Sequence, residues 1–209
     1  MNFEKEKKKL RIELRAQGIE DERVLDAVMN VPRELFISKK YLKEAYGNYP
    51  LPIGMKQTIS QPYTVARMIE ALELKQGEKI FEVGGGSGYN ACVIAEIIGK
   101  KGKVITTEII YELSESAKRN IKKAGYKNIK VLNIDGSKGY EKEVPYDKII
   151  VTAACREIPK ELIKELKING ILVAPVGEHD VQKLLKVIKK KKEQIIENLG
   201  DFRFVPLVH

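Results

Sequence analysis

The chain has 209 residues, of which 43% are hydrophobic and 32% charged, and its net charge is +9. This composition is typical of a folded domain, and no apolar run reaches the ~18 residues that a transmembrane helix needs. The first residues are charged rather than a secretory signal, and Cys92 and Cys155 lack the spacing of a metal site or a disulfide framework. We therefore expect one domain over residues 1–209, located in the cytoplasm, without a membrane contact or a bound metal.

Helical patterns dominate the first 60 residues. Apolar residues recur at helical spacing over 3–16 and again over 22–30, and Asp21 is placed to cap the second helix. A short helical turn over 31–37 and a loop over 46–59 are predicted next. We interpret residues 1–60 as a helical extension with a loop, and residues 61–209 as the core.

From residue 79 onward, short β-branched strands alternate with amphipathic helices, which predicts a parallel sheet. The last two strands lack a helix between them and predict an antiparallel pair. The expected fold is α/β: a three-layer, doubly wound, mostly parallel sheet of Rossmann-like type, with a C-terminal antiparallel strand pair and an N-terminal helical extension. The predicted strands are 80–83, 103–108, 129–134, 148–152, 171–176, 182–190 and 195–205, and the predicted helices are 63–74, 90–98, 111–124 and 160–166.

A glycine-rich turn separates the first predicted strand of the sheet from the helix after it. Glycines at 84, 86 and 88 permit positive φ and leave backbone bare for a ligand, while the helix that follows offers unpaired N–H groups. The next strand ends in Glu108, about 20 residues later, from which an acid reaches ribose hydroxyls in doubly wound folds. This arrangement predicts a cofactor that carries a nucleoside.

The same turn fits two cofactor patterns. Residues 86–91 satisfy the dinucleotide fingerprint, whereas residues 82–88 match the acid-x-Gly-x-Gly-x-Gly pattern typical of S-adenosylmethionine-dependent methyltransferases. We favour the methyl donor. A dehydrogenase would need a hydride-handling His or Tyr near the sheet rim, and His179 and His209 lie outside every motif. The dehydrogenase and a noncatalytic donor-binding scaffold are the alternatives.

A second constellation lies in residues 50–62, a loop that enters the next helix. Ser60 is expected to be the N-cap of this helix, with Pro62 in its first turn. The hydroxyls of Thr58 and Ser60, together with N–H groups at the helix start, can hold a carboxylate. The alternative interpretation of Ser60 is plain helix capping.

Several ordered motifs together resemble the protein-L-isoaspartate O-methyltransferase family. Two of them, Leu-Pro-Ile-Gly at 51–54 and Gln-Thr-Ile-Ser-Gln-Pro at 57–62, are far more specific than the glycine turn. The chain departs from the family pattern at Gly85, where Thr or Cys is usual, and at Ile134, which replaces a glycine. The other motifs lie at 45–46, 82–89, 135–139, 147–154, 158–159, 172–177 and 204–207.

The resemblance implies methylation of the free carboxylate of L-isoaspartyl residues in damaged proteins and peptides, with S-adenosyl-L-methionine as donor, and repair through a succinimide. It makes Ser60 the catalytic residue, and we expect the acceptor to contact Thr58, Ile59, Ser60, Val151 and Thr152. Glu82 is expected to orient the donor's amino group directly or through water, Glu108 to accept from the ribose and Asp135 from the adenine. The donor site as a whole is Glu82, Gly84, Gly86, Gly88, Glu108, Asp135 and Gly136.

The basic charge alone favours an alternative, a methyltransferase that acts on nucleic acid. The lysines and arginines of residues 5–15 are interleaved with glutamates, and no aromatic residues stand between these cations or those of 183–192 to stack bases. We therefore expect polypeptide partners and no nucleic acid. We also expect a monomer, because the acceptor loop must admit other folded or unfolded chains.

Overall fold

The computed structural model describes residues 2–178 and 180–208, so His179 and His209 lie outside the described residues. The N-terminal extension contains the two predicted helices, α1 (Glu4–Ala16) and α2 (Glu22–Asn30). Asp21 caps α2, since its carboxylate accepts a hydrogen bond from the Arg23 backbone N–H at 2.9 Å. The predicted helical turn is a 3-10 helix over Arg33–Phe36.

The segment predicted as a loop contains a β-hairpin instead. Its strands are β1 (Leu51–Gly54) and β2 (Gln57–Ile59), which pair antiparallel. The two residues between them, Met55 and Lys56, both have positive φ, at 50° and 58°. Tight hairpins need this backbone geometry, although glycine or asparagine usually supplies it. The hairpin gives the residues before Ser60 a fixed path.

The main sheet has the predicted class. Its strands are β3 (Lys79–Val83), β4 (Lys103–Thr107), β5 (Ile129–Leu132), β6 (Tyr146–Val151), β7 (Leu166–Val176), β8 (Gln182–Lys189) and β9 (Gln194–Phe202). In the described part of the chain the strand order is β5-β4-β3-β6-β7-β8-β9. Pairing is parallel from β5 to β7 and antiparallel for β8 and β9, which confirms the mostly parallel sheet with a terminal antiparallel pair.

Helices cover both faces of this sheet. They are α3 (Pro62–Ala71), α4 (Tyr89–Ile98), α5 (Tyr111–Ala124) and α6 (Lys160–Glu165). Consecutive strand residues point to opposite faces, so Ile80 belongs to the apolar core beneath α1–α5, whereas Phe81 belongs to the core that contains Leu162 of α6. The three-layer prediction is therefore confirmed. None of the helices in residues 2–178 and 180–208 combines the length and hydropathy of a membrane span.

Strand β7 begins five residues earlier than predicted, because a register shift against β6 accommodates the extra residues. Asn169 lies in this stretch with φ of 63°, a conformation that asparagine tolerates better than most residues. The carboxyl ends of β3, β4 and β6 nonetheless meet at one rim, as the parallel pairing requires. This rim is where open α/β sheets bind ligands.

Candidate active site

One cavity at the rim brings the two predicted constellations together. It is lined by Thr58 and Ile59, which belong to strand β2 of the hairpin, and by Ser60, which follows that strand. The turn after β3, here called the glycine loop (Gly84–Gly88), contributes its first four residues, whereas Gly88 does not line the cavity. Of the remaining predicted residues, Glu108, Asp135, Gly136 and Thr152 also line the cavity. Residues that are far apart in the chain thus share one site.

The glycine loop has the backbone that the sequence predicts. Gly84, Gly86 and Gly88 have φ of 90°, 52° and 87°, all in the region that favours glycine. A Cβ at Gly88 would lie 2.9 Å from the Ile121 Cδ1 atom, so this glycine also allows α4 to approach α5 closely. The loop therefore presents bare backbone towards the cavity and cannot easily accept side chains.

Glu108 is tied to the glycine loop through its carboxylate. Oε2 accepts the Gly86 N–H at 2.8 Å, and Oε1 accepts the Ile110 N–H at 2.9 Å. A carboxylate has about four acceptor positions, so each oxygen of this largely buried group can accept another bond. Glu108 can therefore shape the loop and bind two hydroxyl groups at once.

Asp135 and Gly136 form a tight turn at the adjacent strand end. Asp135 Oδ1 accepts from the Ser137 N–H at 3.0 Å and from the Ser137 hydroxyl at 2.6 Å. Burial raises the pKa of Asp135, but these bonds and the Lys138 ammonium outweigh it and hold the pKa below its usual value. A Cβ at Gly136 would lie 2.0 Å from Thr107 Oγ1, so only glycine fits there. Ile134, the departure from the family pattern, lines the cavity beside them.

Glu82 does not line the cavity. Its side chain is fully buried beneath the glycine loop, and Oε1 accepts from the Asn90 side-chain amide at 2.7 Å. Burial raises the pKa of Glu82, while the Thr106 hydroxyl and the Asn90 amide oppose that rise. Asn90 lines the cavity, so Glu82 can influence a ligand through Asn90; the expected contact with the donor's amino group, direct or through water, stays a prediction.

Ser60 is not a helix cap, which corrects that prediction. Helix α3 begins at Pro62, its N-cap residue is Gln61, and no side chain caps it. Proline at the first helical position fixes the cap one residue before itself. The Ser60 hydroxyl makes no hydrogen bond to any residue that the structure describes, and the residue is half-buried in the cavity wall. Its hydroxyl is thus available to a ligand.

At the end of β6, the neighbouring side chains of Val151 and Thr152 point to opposite faces of the sheet. Val151 is fully buried in the core under α6 and does not line the cavity, so it is not part of the predicted acceptor wall. Alternation along the strand turns its side chain to the opposite face from that of its neighbour. The Thr152 hydroxyl donates to the Gly84 carbonyl at 2.5 Å and thereby ties β6 to the glycine loop.

Part of the cavity wall was not predicted. The stretch Val205–Val208 lines the cavity and is held by hydrogen bonds between Ala154 and the backbone of Val205 and Leu207, each at 2.8 Å. Tyr89 and Asn90, at the start of α4, line it as well. The described residues contain no group of three His, Cys, Asp or Glu side chains suited to an ion, and the expectation of no metal stays a prediction.

Comparison with known sequences identifies the chain's relatives. The family described as Protein-L-isoaspartate(D-aspartate) O-methyltransferase (PCMT) matches residues 5–209. The chain is 50% identical over 208 residues to Protein-L-isoaspartate O-methyltransferase 2 of Archaeoglobus fulgidus, covering 99% of this chain and 94% of that protein. It is 49% identical over 208 residues to the Protein-L-isoaspartate O-methyltransferase of Ignicoccus hospitalis, covering 99% of each.

Solved structures agree with the sequence matches. A protein-L-isoaspartate O-methyltransferase superposes with a TM-score of 0.88 at 30% identity, over 97% of this chain and 66% of that one. A putative protein-L-isoaspartate O-methyltransferase from Plasmodium falciparum, in complex with S-adenosyl-L-homocysteine, gives a TM-score of 0.83 at 30% identity, over 96% and 97%. The resemblance predicted from the motifs is confirmed, and the chain belongs to the protein-L-isoaspartate(D-aspartate) O-methyltransferase family.

Proposed function

We propose that this chain transfers a methyl group from S-adenosyl-L-methionine to the free carboxylate of L-isoaspartyl residues in damaged proteins and peptides, which starts repair through a succinimide. The observation that carries the proposal is the single cavity shared by the Thr58–Ser60 segment and the glycine loop. The names of the relatives support the substrate, and the S-adenosyl-L-homocysteine complex of a related structure supports the donor.

The residues on the donor side fit this cofactor. Gly84, Gly85 and Gly86 line the cavity without side chains, and Gly86 does so with positive φ. Glu108 retains acceptor positions for the two ribose hydroxyls after binding two backbone N–H groups. Asp135, whose pKa is lowered, remains a carboxylate that can accept from the adenine amino group, with Gly136 against the ring. Glu82 would act through Asn90.

On the acceptor side, the protein has to orient the substrate carboxylate and does not have to deprotonate it. When bound, S-adenosyl-L-methionine supplies an electrophilic methyl group, which passes to a carboxylate oxygen as the carbon–sulfur bond breaks. The free carboxyl group of an isoaspartyl residue is an α-carboxyl, whose pKa of about 3.3–3.7 leaves it ionised at neutral pH, so no general base is required. We assign the Ser60 and Thr58 hydroxyls to holding that carboxylate, with Thr152 as a further part of the cavity wall. Such orientation can contribute roughly 7–11 kcal/mol in favourable reactions.

The proposed function is tested by transfer of labelled methyl groups to three acceptors in parallel. These are an isoaspartyl peptide, the matching aspartyl peptide and RNA. We expect base-labile label on the isoaspartyl peptide only, because the free carboxylate of an isoaspartyl residue is its α-carboxylate, whereas that of the aspartyl control lies on the side chain. Label on RNA alone would replace the proposal with the nucleic-acid alternative.

We also propose that residues 1–209 act as one domain, as a monomer in the cytoplasm, and on polypeptides rather than nucleic acid. The shared core of α1–α5 and the sheet supports one domain. Basic side chains of α1 are paired with acids of α2: Arg11 contacts Glu22 and Asp26 at 2.7 Å each. These pairs reduce the charge available to phosphates. Light scattering of the purified chain tests the monomer, and cell fractionation tests the location.

A further inference from the structure

A buried arginine contacts two segments of the chain that line the cavity. Arg33, in the 3-10 helix after α2, is fully buried. Its Nη2 donates to the Ser60 carbonyl at 2.8 Å, and its guanidinium carbon lies 4.9 Å from the centroid of the Tyr89 ring. Ser60 and Tyr89 both line the cavity, whereas Arg33 does not. One guanidinium group thus contacts both the acceptor segment and the start of α4.

The charge of Arg33 is only partly compensated. Its Nε and Nη1 atoms have no hydrogen-bond partner, and it forms no ion pair with a carboxylate, within residues 2–178 and 180–208. Burial lowers the pKa of Arg33, which the Tyr89 and Tyr46 hydroxyls partly offset, but a guanidinium keeps its proton in proteins. A buried, unpaired cation is costly for a fold. Its positive potential is poorly screened and favours an anion bound nearby.

The surrounding contacts hold this cation in a fixed place. Pro32 precedes the 3-10 helix, and the Phe36 ring at the end of that helix packs edge-on against the Tyr89 ring, with 5.5 Å between ring centroids. The hydrogen bond to the Ser60 carbonyl therefore comes from a rigid donor. It can fix the backbone of Ser60, whose own hydroxyl has no structural partner among the described residues.

We propose that Arg33 is a positioning residue for the acceptor, which fixes Ser60 through its carbonyl and makes that side of the cavity electrostatically favourable for the isoaspartyl carboxylate. This inference rests on the proposed function, because the acceptor must be an anion for the charge to matter. Arg33 touches neither the donor nor the acceptor. Its removal should therefore weaken use of the acceptor much more than binding of the donor.

The test compares R33M, R33K and a matched control, R23M. Arg23 also donates from a guanidinium to a backbone carbonyl, that of Leu74 at 2.9 Å, but Leu74 does not line the cavity. The assay measures kcat and KM for an isoaspartyl peptide, calorimetric Kd for S-adenosyl-L-homocysteine, and Tm. For R33M we expect kcat/KM to fall about 10–100-fold, the size of one lost hydrogen bond from a charged group, and Kd to change less than about threefold.

The conservative variant separates charge from packing. R33K keeps the charge and should recover kcat/KM to within about tenfold of the unchanged chain, and R23M should stay within about twofold. If R33M does not fold, R33Q replaces it and must show at least a tenfold loss. Equal losses of kcat/KM and donor affinity, or unchanged kcat/KM in R33M, would overturn the inference while leaving the proposed function intact. Failure of the unchanged chain to methylate the peptide would overturn both.

Discussion

Substitution of Gly85 tests how closely the glycine loop packs against the neighbouring strand. A Cβ built on Gly85 lies 2.3 Å from Thr106 Oγ1, but an ordinary 3.5 Å from Thr106 Cβ and 3.7 Å from Glu82 Oε2. The φ of Gly85 is not in the left-handed region, so backbone strain does not contribute. A single hydroxyl on the neighbouring strand therefore explains why glycine occupies this position, and G85A should be destabilising for that reason alone.

The size of the effect follows from the overlap. Overpacking a buried site by one methyl group typically costs about 1–3 kcal/mol, and about 1 kcal/mol shifts Tm by roughly 2–4 °C in a chain of this length. T106A removes this oxygen, which lies near the Glu82 carboxylate and favours its charged form, so its own cost should be about 1 kcal/mol. In the double variant the new methyl group takes the space of the lost oxygen. We expect a favourable coupling energy of at least about 1 kcal/mol.

The assay is urea unfolding of G85A, T106A and the double variant, with calorimetric binding of S-adenosyl-L-homocysteine. The control is G85A/T106V, in which one branch of valine takes the position of Oγ1 and keeps the overlap. Relative to G85A, we expect G85A/T106A to regain stability and donor affinity, and G85A/T106V to regain neither. Additive losses of stability in G85A/T106A, or an equal recovery in G85A/T106V, would refute the steric explanation.

Three further predictions concern single residues. S60A should lower kcat for an isoaspartyl peptide about 10–100-fold with Tm nearly unchanged, because its hydroxyl caps no helix; a loss of donor affinity with normal kcat would contradict this. E108Q turns an amide N–H₂ towards a backbone donor and should raise the Kd for S-adenosyl-L-homocysteine about 10–100-fold by calorimetry. Lys103 and then Lys130 lower the pKa of Glu143 from 4.5, so its stabilisation is present above that pH and is lost as pH falls through the lowered pKa. E143Q should therefore reduce Tm at neutral pH and flatten its fall in acid; parallel Tm curves would contradict this.

The fold was predictable because its signals are local. Strands such as β3 and β4 are short runs that contain β-branched residues and alternate with helices. In the glycine loop, three glycines mark the positions that have positive φ. The β1–β2 hairpin was missed because Met55 and Lys56 adopt positive φ without the glycine or asparagine that usually marks such a turn. Its stability comes from tertiary context, which a local pattern does not contain.

The errors at the site have different physical origins. The Ser60 cap was avoidable, since Pro62 at the first helical position already indicated Gln61. Strand alternation could likewise have separated Val151 from Thr152. Arg33 and Val205–Val208 are different cases: Val205–Val208 line the cavity and Arg33 contacts Ser60 from outside it, and no local sequence pattern marks either contact. Such long-range neighbours become visible only once the sheet is assembled.

The residues of the cavity wall come from many parts of the chain, which affects how the protein loses activity on heating. Its residues come from stretches spread over most of the chain, from the hairpin at β1–β2 to Val208. No single element contains the whole wall, and we expect local opening of its loops to disrupt it before the sheet unfolds. On heating, methyl transfer should therefore stop before the sheet unfolds. Turnover is thus a sensitive measure of whether the cavity wall is still intact.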